Sequence, residues 1–385
     1  MSDTLRVRLY NIRFGDAVLV TFPDNGTTRN ILIDVGNVLS GKGGDDSVFK
    51  PVVEAIKAEL GGEPLDLYVM THEHMDHIQG LPFAKEKAQI ELDVDFAWIT
   101  ASAAPDYYDT HPDAKKKKIE AVAAYEQIAA YLEAVPDKKL EGLMLNNNPR
   151  STADCVSYLR GLAGKTTFVY RGVALDGTHP FEEAKLSVWG PEEDTSSYYR
   201  SLQPVALGVN AAAAEGEGAP GEGAKLTVVT PSPPAGVDVG AFYNLVESRR
   251  TGLHDNMLAI DKAANNTSIV FMLEWRGWKL LFPGDAEQES WRMMDEQNVL
   301  EPVHLLKIAH HGSWNGTPQG AILDKILPPV APDARKRYAV VSTCLDTYSG
   351  VPDGPTLTTL GGRAELHSTL DQIPDAGTLD VELEG

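Results

Sequence analysis

The sequence predicts an α+β fold of two mixed β-sheets covered by helices, not one doubly wound parallel sheet. Strands and helices alternate through both halves of the chain, and each half opens on a β-hairpin signal. A third observation concerns chemistry: clusters of histidine and aspartate follow apolar, strand-like runs at three separate places.

The elements follow in order. Residues 5–10 and 17–22 read as two strands, and Pro23-Asp24-Asn25-Gly26 is a turn signal. Residues 30–37 form an apolar strand that ends in an acid and a glycine. Over 47–60, Val52, Val53, Ile56 and Leu60 fall on one helical stripe. Leu65-Asp66-Leu67-Tyr68-Val69-Met70 reads as a buried strand, as does 96–100. Residues 115–135 predict a helix closed by Pro136, and 152–162 a further helical region. The run 211–223, all Ala, Glu, Gly and Pro, predicts a flexible surface loop that continues irregularly through 231–234. Regular pattern resumes with strands at 268–274 and 278–282 around Arg276-Gly277, a helix at 287–300, and strands at 303–309 and 338–342.

Composition narrows the class. With 55 acidic and 34 basic residues among 385, the formal charge is −21. A field of that sign opposes sequence-independent capture of duplex nucleic acid, but not of a small phosphoester or a strand held locally by metal. The basic run 115–118 reads as a solvated helix face. Two cysteines far apart, Cys155 and Cys344, do not make a disulfide framework. With no apolar leader and no span-length apolar run, the expectation is a cytoplasmic protein that does not enter a membrane.

The densest signal is Thr71-His72-Glu73-His74-Met75-Asp76-His77, directly behind the 65–70 strand. Positions i and i+2 of extended chain point the same way, so His72 and His74 can close on one cation. Asp76 and His77 fall where the chain turns into a helix and can aim at a second. Neutral imidazole and carboxylate suit zinc, or else manganese or iron. A zincin is excluded: it needs His-Glu-x-x-His, and Asp76 stands where the second histidine belongs. Glu73, between two candidates, is expected to point away. Gly284-Asp285 and His310-His311-Gly312-Ser313 close two later strands, each a weak signal alone and stronger in this order.

With those residues the chain resembles the metallo-β-lactamase superfamily, and within it the hydrolase domain of ComEC-type competence proteins. Residues 10–17, Ile33-Asp34-Val35-Gly36, His72-x-His74-x-Asp76-His77, Asn266-x-Ser268-Ile269-Val270, Gly284-Asp285 and His310-His311-Gly312-Ser313 carry the likeness. The resemblance implies an αββα sandwich, a single domain over 1–385 with insertions around 105–165 and 192–265, and two divalent ions at one edge. It implies that His72 and His74 hold the first ion, Asp76 and His77 the second, and that Asp285 bridges them. It also implies that His311 completes the second ion's shell, His310 binds or protonates substrate, and Asp34 orients ligands from behind.

The chain departs from the family at two points. A further metal-binding histidine is usual, and His111, His179 and His254 are all open candidates. Near the C-terminus the histidine-proline pair of that branch is replaced by Val351-Pro352. The expected activity is hydrolysis of a small or single-stranded phosphodiester by a metal-bridging hydroxide, with Asp76 and His310 in catalytic positions. The alternatives are hydrolysis of esters, lactones or thioesters at the same metals, and a non-hydrolytic partner-binding protein with a structural metal site. The 192–265 segment is the expected lid or partner surface.

Overall fold

The computed structural model describes residues 3–39, 41–134, 136–203, 233 and 239–385. Strands β1 (Thr4–Tyr10), β2 (Val18–Asp24) and β3 (Thr27–Ile33) form an antiparallel meander. Helix α1 (Phe49–Glu59) leads to β4 (Leu65–Met70), which pairs parallel with β3. Two short helices, α2 (Met75–Ile78) and α3 (Gly80–Phe83), precede β5 (Val94–Thr100). The segment around 105–165 is helical: α4 (Tyr107–Thr110), α5 (Pro112–Ala134), α6 (Lys138–Asn146) and α7 (Pro149–Arg160). Strand β6 (Lys165–Val169) pairs parallel with β5.

The second half repeats the plan. Strand β7 (Lys185–Gly190), helix α8 (Val239–Asn265), and strands β8 (Val270–Trp275) and β9 (Trp278–Phe282) come first. Then follow α9 (Gln288–Glu296), β10 (Leu305–Lys307), α10 (Gly320–Ile326), β11 (Tyr338–Val341), α11 (Gly354–Gly361), β12 (Glu365–Ser368) and β13 (Thr378–Glu384). One sheet runs β13-β1-β2-β3-β4-β5-β6 and the other β12-β11-β10-β9-β8-β7, each with parallel and antiparallel neighbours. These are the two mixed sheets the alternation predicted.

Side-chain alternation fixes the layers. In β8, Phe271 and Leu273 enter the core shared by both sheets, while Val270 and Met272 face α9 and α10. In β3, Ile31 and Ile33 enter that same core, while Leu32 faces α1 with Val52, Val53 and Ile56. A one-residue slip would exchange the two sets, so burial on both faces pins the register. The product is a helix–sheet–sheet–helix sandwich.

Boundaries moved for local reasons. The strand read over 30–37 stops at Ile33, because Asp34 adopts φ +52°. Pro23 lies inside β2, beyond Thr21, where β1 pairing has ended and no ladder partner is lost. The helix read over 287–300 stops at Glu296, and Asn298 has φ +56°. The strand read over 303–309 is only Leu305–Lys307. The run 211–223 and positions 231, 232 and 234 lie outside the described residues, as do the rest of 204–232 and 235–238. The basic run is tied down on α5: Lys115 pairs with Asp109 at 2.8 Å and Lys117 donates to the Ser196 carbonyl at 2.6 Å. Among the described residues, no helix is long and apolar enough to cross a membrane.

A buried histidine and aspartate centre at the sheet edges

Parallel strands deliver their carboxyl ends to one edge of a sheet, and both sheets use that edge here. Asp34 follows β3, residues 71–77 follow β4, Asp285 follows β9, and His310 and His311 follow β10. The edges are stitched together by Ile269, whose N–H donates to the Thr71 carbonyl at 2.9 Å. Glycines allow the close approach. A Cβ on Gly36 would lie 2.5 Å from the His77 nitrogen and 2.6 Å from the Asp76 carbonyl carbon. Gly284, at φ +56°, would place one 2.9 Å from Thr71 Cβ. Because backbone atoms block the way, Gly36→Ala is expected to cost about 1–3 kcal/mol in denaturant unfolding; unchanged stability would show that α2 is free to move aside.

Ligand atoms of Asp76, His77, Asp285 and His311 all lie within 4.8 Å of one another, and all four residues are buried. Asp285 Oδ2 is 3.2 Å from His77 Nε2 and 3.4 Å from His311 Nε2. His311 Nε2 is 3.4 Å from Asp76 Oδ2. The His72 ring sits 4.2 Å from that of His77 and 4.7 Å from that of His74. Three of these connecting residues, Asp34, His310 and His311, have φ between +48° and +52°, a backbone region costly for side chains other than glycine.

Each histidine of the cluster has one ring nitrogen held by a group that can only accept a proton. His77 Nδ1 donates to Asp34 Oδ2 at 2.8 Å, and His311 Nδ1 to the Ser342 carbonyl at 3.1 Å. His74 Nε2 donates to Asn147 Oδ1 at 2.7 Å. The Thr71 hydroxyl gives its proton to Asp34 at 2.6 Å, so at 3.0 Å it accepts from His72 Nδ1. The ring nitrogens left to face a cation follow: Nε2 of His72, His77 and His311 and Nδ1 of His74. The Nε2 atoms of His72, His77 and His311 and Oδ1 of Asp76 are buried with no hydrogen-bond partner. Buried polar atoms are rarely left so, and this donor set fits divalent cations.

Charge in the cluster is arranged by the same contacts. Burial and the neighbouring His77 and His74 hold His72 well below the ordinary imidazole value. For His77 burial pulls the same way, but Asp285, Asp34 and Asp76 outweigh it and hold the ring well above. Burial also opposes protonation of His311, yet Asp285, Asp76 and Asp16 push it up to about 9. Both shifted rings keep a proton at neutral pH in the metal-free chain, and a cation must displace it. Zinc titration near neutral pH is therefore expected to release protons, with affinity rising from pH 6.5 toward about 9. Calorimetry in buffers of different ionisation enthalpy measures this; a pH-independent affinity would contradict it.

The candidates from the sequence distribute plainly. Asp76, His77, Asp285 and His311 form one donor group, with Asp34 behind Thr71 and His77; the His72 ring lies against His77 and His74 beyond it, and neither His72 nor His74 belongs to that group. Glu73 turns away to Lys118 at 3.4 Å. His310 gives its backbone N–H to Asp285 Oδ1 at 3.0 Å, and its ring belongs to a neighbouring group with Asp261 and Glu287. His111 stacks on Tyr107, His179 stacks on Phe181, and His254 lies 3.7 Å from Asp137. Among the described residues none of these three belongs to a donor group.

Several contributors were not legible. Asn146 accepts from the Asp76 backbone N–H at 3.0 Å, and Asp261 holds the Asn147 amide at 2.7 Å. They come from α6, its C-terminal flank and α8, so the two predicted insertions reach the centre together. Those helices share a small core of Ile128, Tyr131, Leu140, Met144, Leu253 and Met257. Asp16 and Lys307 form a buried ion pair beneath His311, with Asp16 Oδ1 3.9 Å from His311 Nδ1. The Gly15-Asp16-Ala17 turn was visible in the sequence, but its lysine partner 291 positions away was not.

No family model matches the sequence, and no curated protein matches it. Among solved structures, the metallo-β-lactamase fold protein YhfI from Bacillus subtilis is similar at 10% identity, over 98% of this chain and 100% of that one, with a TM-score of 0.36. A diphosphatase of the PhnP family is similar at 12% identity, over 99% of this chain and 100% of that one, with a TM-score of 0.35. Superpositions this loose transfer no residue role and no activity to the present chain.

Proposed function

We propose that this chain is a metal-dependent hydrolase of the metallo-β-lactamase type, acting on small or single-stranded phosphodiesters. One observation carries the reading: four buried histidines each have one ring nitrogen held by a hydrogen bond, and the other nitrogens of His77 and His311 lie in one donor group with Asp76 and Asp285. On this reading His72 and His74 would hold one ion and Asp76, His77 and His311 another, with Asp285 able to serve as a ligand to either. A bound ion pair would supply Lewis-acid polarisation of a phosphoryl oxygen and a water of lowered pKa.

The chain's own groups do the rest. Asp34, Asn147, Ser342 and Thr71 hold the imidazoles in the tautomers that binding requires. Asp285 fixes the backbone of His310. The His310 ring faces the cleft, where it can bind substrate or hand a proton to a leaving oxygen. Free thiols at Cys155 and Cys344 are in keeping with a reducing, cytoplasmic setting. The ComEC-type likeness adds the expectation of a nucleic-acid or nucleotide substrate.

The test is metal analysis of the pure protein, with aryl phosphodiesters and aryl esters assayed on the same sample. Two zinc or manganese ions per chain and phosphodiester turnover are expected. Turnover of aryl esters alone would move the assignment to carbonyl substrates, and a chain that binds no metal would end it.

A further inference from the structure

A second group of donors lies beside the centre. Asp261 and Asn265 stand four residues apart on α8, so both project from one face of that helix. Glu287 immediately precedes α9, and His310 follows β10. Ligand atoms of Asp261, Glu287 and His310 all lie within 4.8 Å of one another. The fully buried Asn265 bridges the two acids: its amide donates to Glu287 Oε1 at 2.9 Å and reaches Asp261 Oδ2 at 3.4 Å.

Two features call for a cation in this group. Asp261 and Glu287 are only 7% and 4% exposed, yet among the described residues neither is paired with a lysine or an arginine. Carboxylates held this close together and out of water are costly without a positive partner. The polar atoms around them are also left over. His310 Nδ1, 3.5 Å from Glu287 Oε1, and Asn265 Oδ1 are both buried with no hydrogen-bond partner. A half-turn of the Asn265 amide would put Oδ1 where Nδ2 now stands, facing both acids. Asp261 and His310 line the cleft, which gives an ion a path from solvent.

We infer that Asp261, Glu287 and His310 form a further divalent-cation site, separate from the donors at Asp76 and Asp285, with the Asn265 carbonyl as a fourth ligand. Two carboxylates, an amide oxygen and one imidazole make an oxygen-rich set, which suits manganese better than zinc. Open to the cleft on one side, the site takes its ion from solution instead of keeping it through purification. An ion there sets positive charge in a cleft otherwise lined by the carboxylates of Asp76, Glu141 and Asp261, where an anionic substrate has to lie. The inference concerns ion binding alone and does not depend on the hydrolase reading.

The test is equilibrium dialysis of the purified full chain against manganese, with the free ion counted by electron paramagnetic resonance. One manganese per chain that depends on Glu287 is expected. Glu287→Gln keeps the shape and removes one charge, and should weaken that ion at least roughly tenfold while the ions retained through purification stay in place. No manganese uptake by the unaltered chain, or equal uptake by the variant, overturns the inference. Loss of every ion together in the variant also overturns it, because the group would then be part of the neighbouring centre. If Glu287→Gln does not fold, Asp261→Asn, which keeps an acceptor for the Asn147 amide, is judged by the same outcomes. A chain that hydrolyses nothing yet takes up this manganese would end the hydrolase reading and leave the site standing.

Discussion

An Asp285→Asn protein is expected to lose metal and hydrolysis while keeping its fold. The substitution preserves shape and one acceptor for the His310 N–H, but removes the charge that faces His77 at 3.2 Å and His311 at 3.4 Å. Loss of an outer partner to a metal ligand costs roughly 10–100-fold in affinity or activity, which is the range expected for Asp34→Ala. A shared inner carboxylate should cost more than that range. Chelator competition and metal content after dialysis give the affinities, and steady-state rates give the activity. An Asp285→Asn protein that retains both ions and normal turnover would remove this carboxylate from the site.

The second large effect concerns stability. Asp16 and Lys307 are both nearly inaccessible and pair with each other across the two sheets, with His311 Nδ1 a further neighbour of Asp16 at 3.9 Å. Taking one partner away strands the other charge in the interior, so Lys307→Met and Asp16→Ala are each expected to cost about 3–5 kcal/mol. The double variant should be less damaged than the sum of the singles, because no charge is then left unpaired. Denaturant unfolding of the four proteins measures the coupling; strictly additive losses would show that the pair contributes nothing as a pair.

Much of this molecule was readable because its signals are local. The alternation of β1, the apolar runs of β8 and β9 around Arg276-Gly277, and the spacing of His72, His74, Asp76 and His77 lie within single stretches of chain. Some elements were missed. Strand β13 alternates Leu379, Val381 and Leu383 toward the core with acidic residues outward, and it pairs with β1 along its whole length. Helix α6 has the sequence Lys-Lys-Leu-Glu-Gly-Leu-Met-Leu-Asn and gave no clear stripe. The hidden part of the site is non-local. Asn147 and Asp261 are common surface residue types, and only the packing of α5 and α6 on α8 brings them to His74. Lone histidines such as His111 and His179 were ambiguous because an aromatic stack and a ligand site look alike in sequence.

That helical packing has a thermodynamic corollary. The side chain that pins His74 and the one that anchors the Asp76 amide both ride on α6 or its flank, which leans on α8. Docking of this helical cap and uptake of ions are then two faces of one equilibrium. Whatever free energy the cap lends to ion capture, the ions must return by clamping the cap in place, in equal measure.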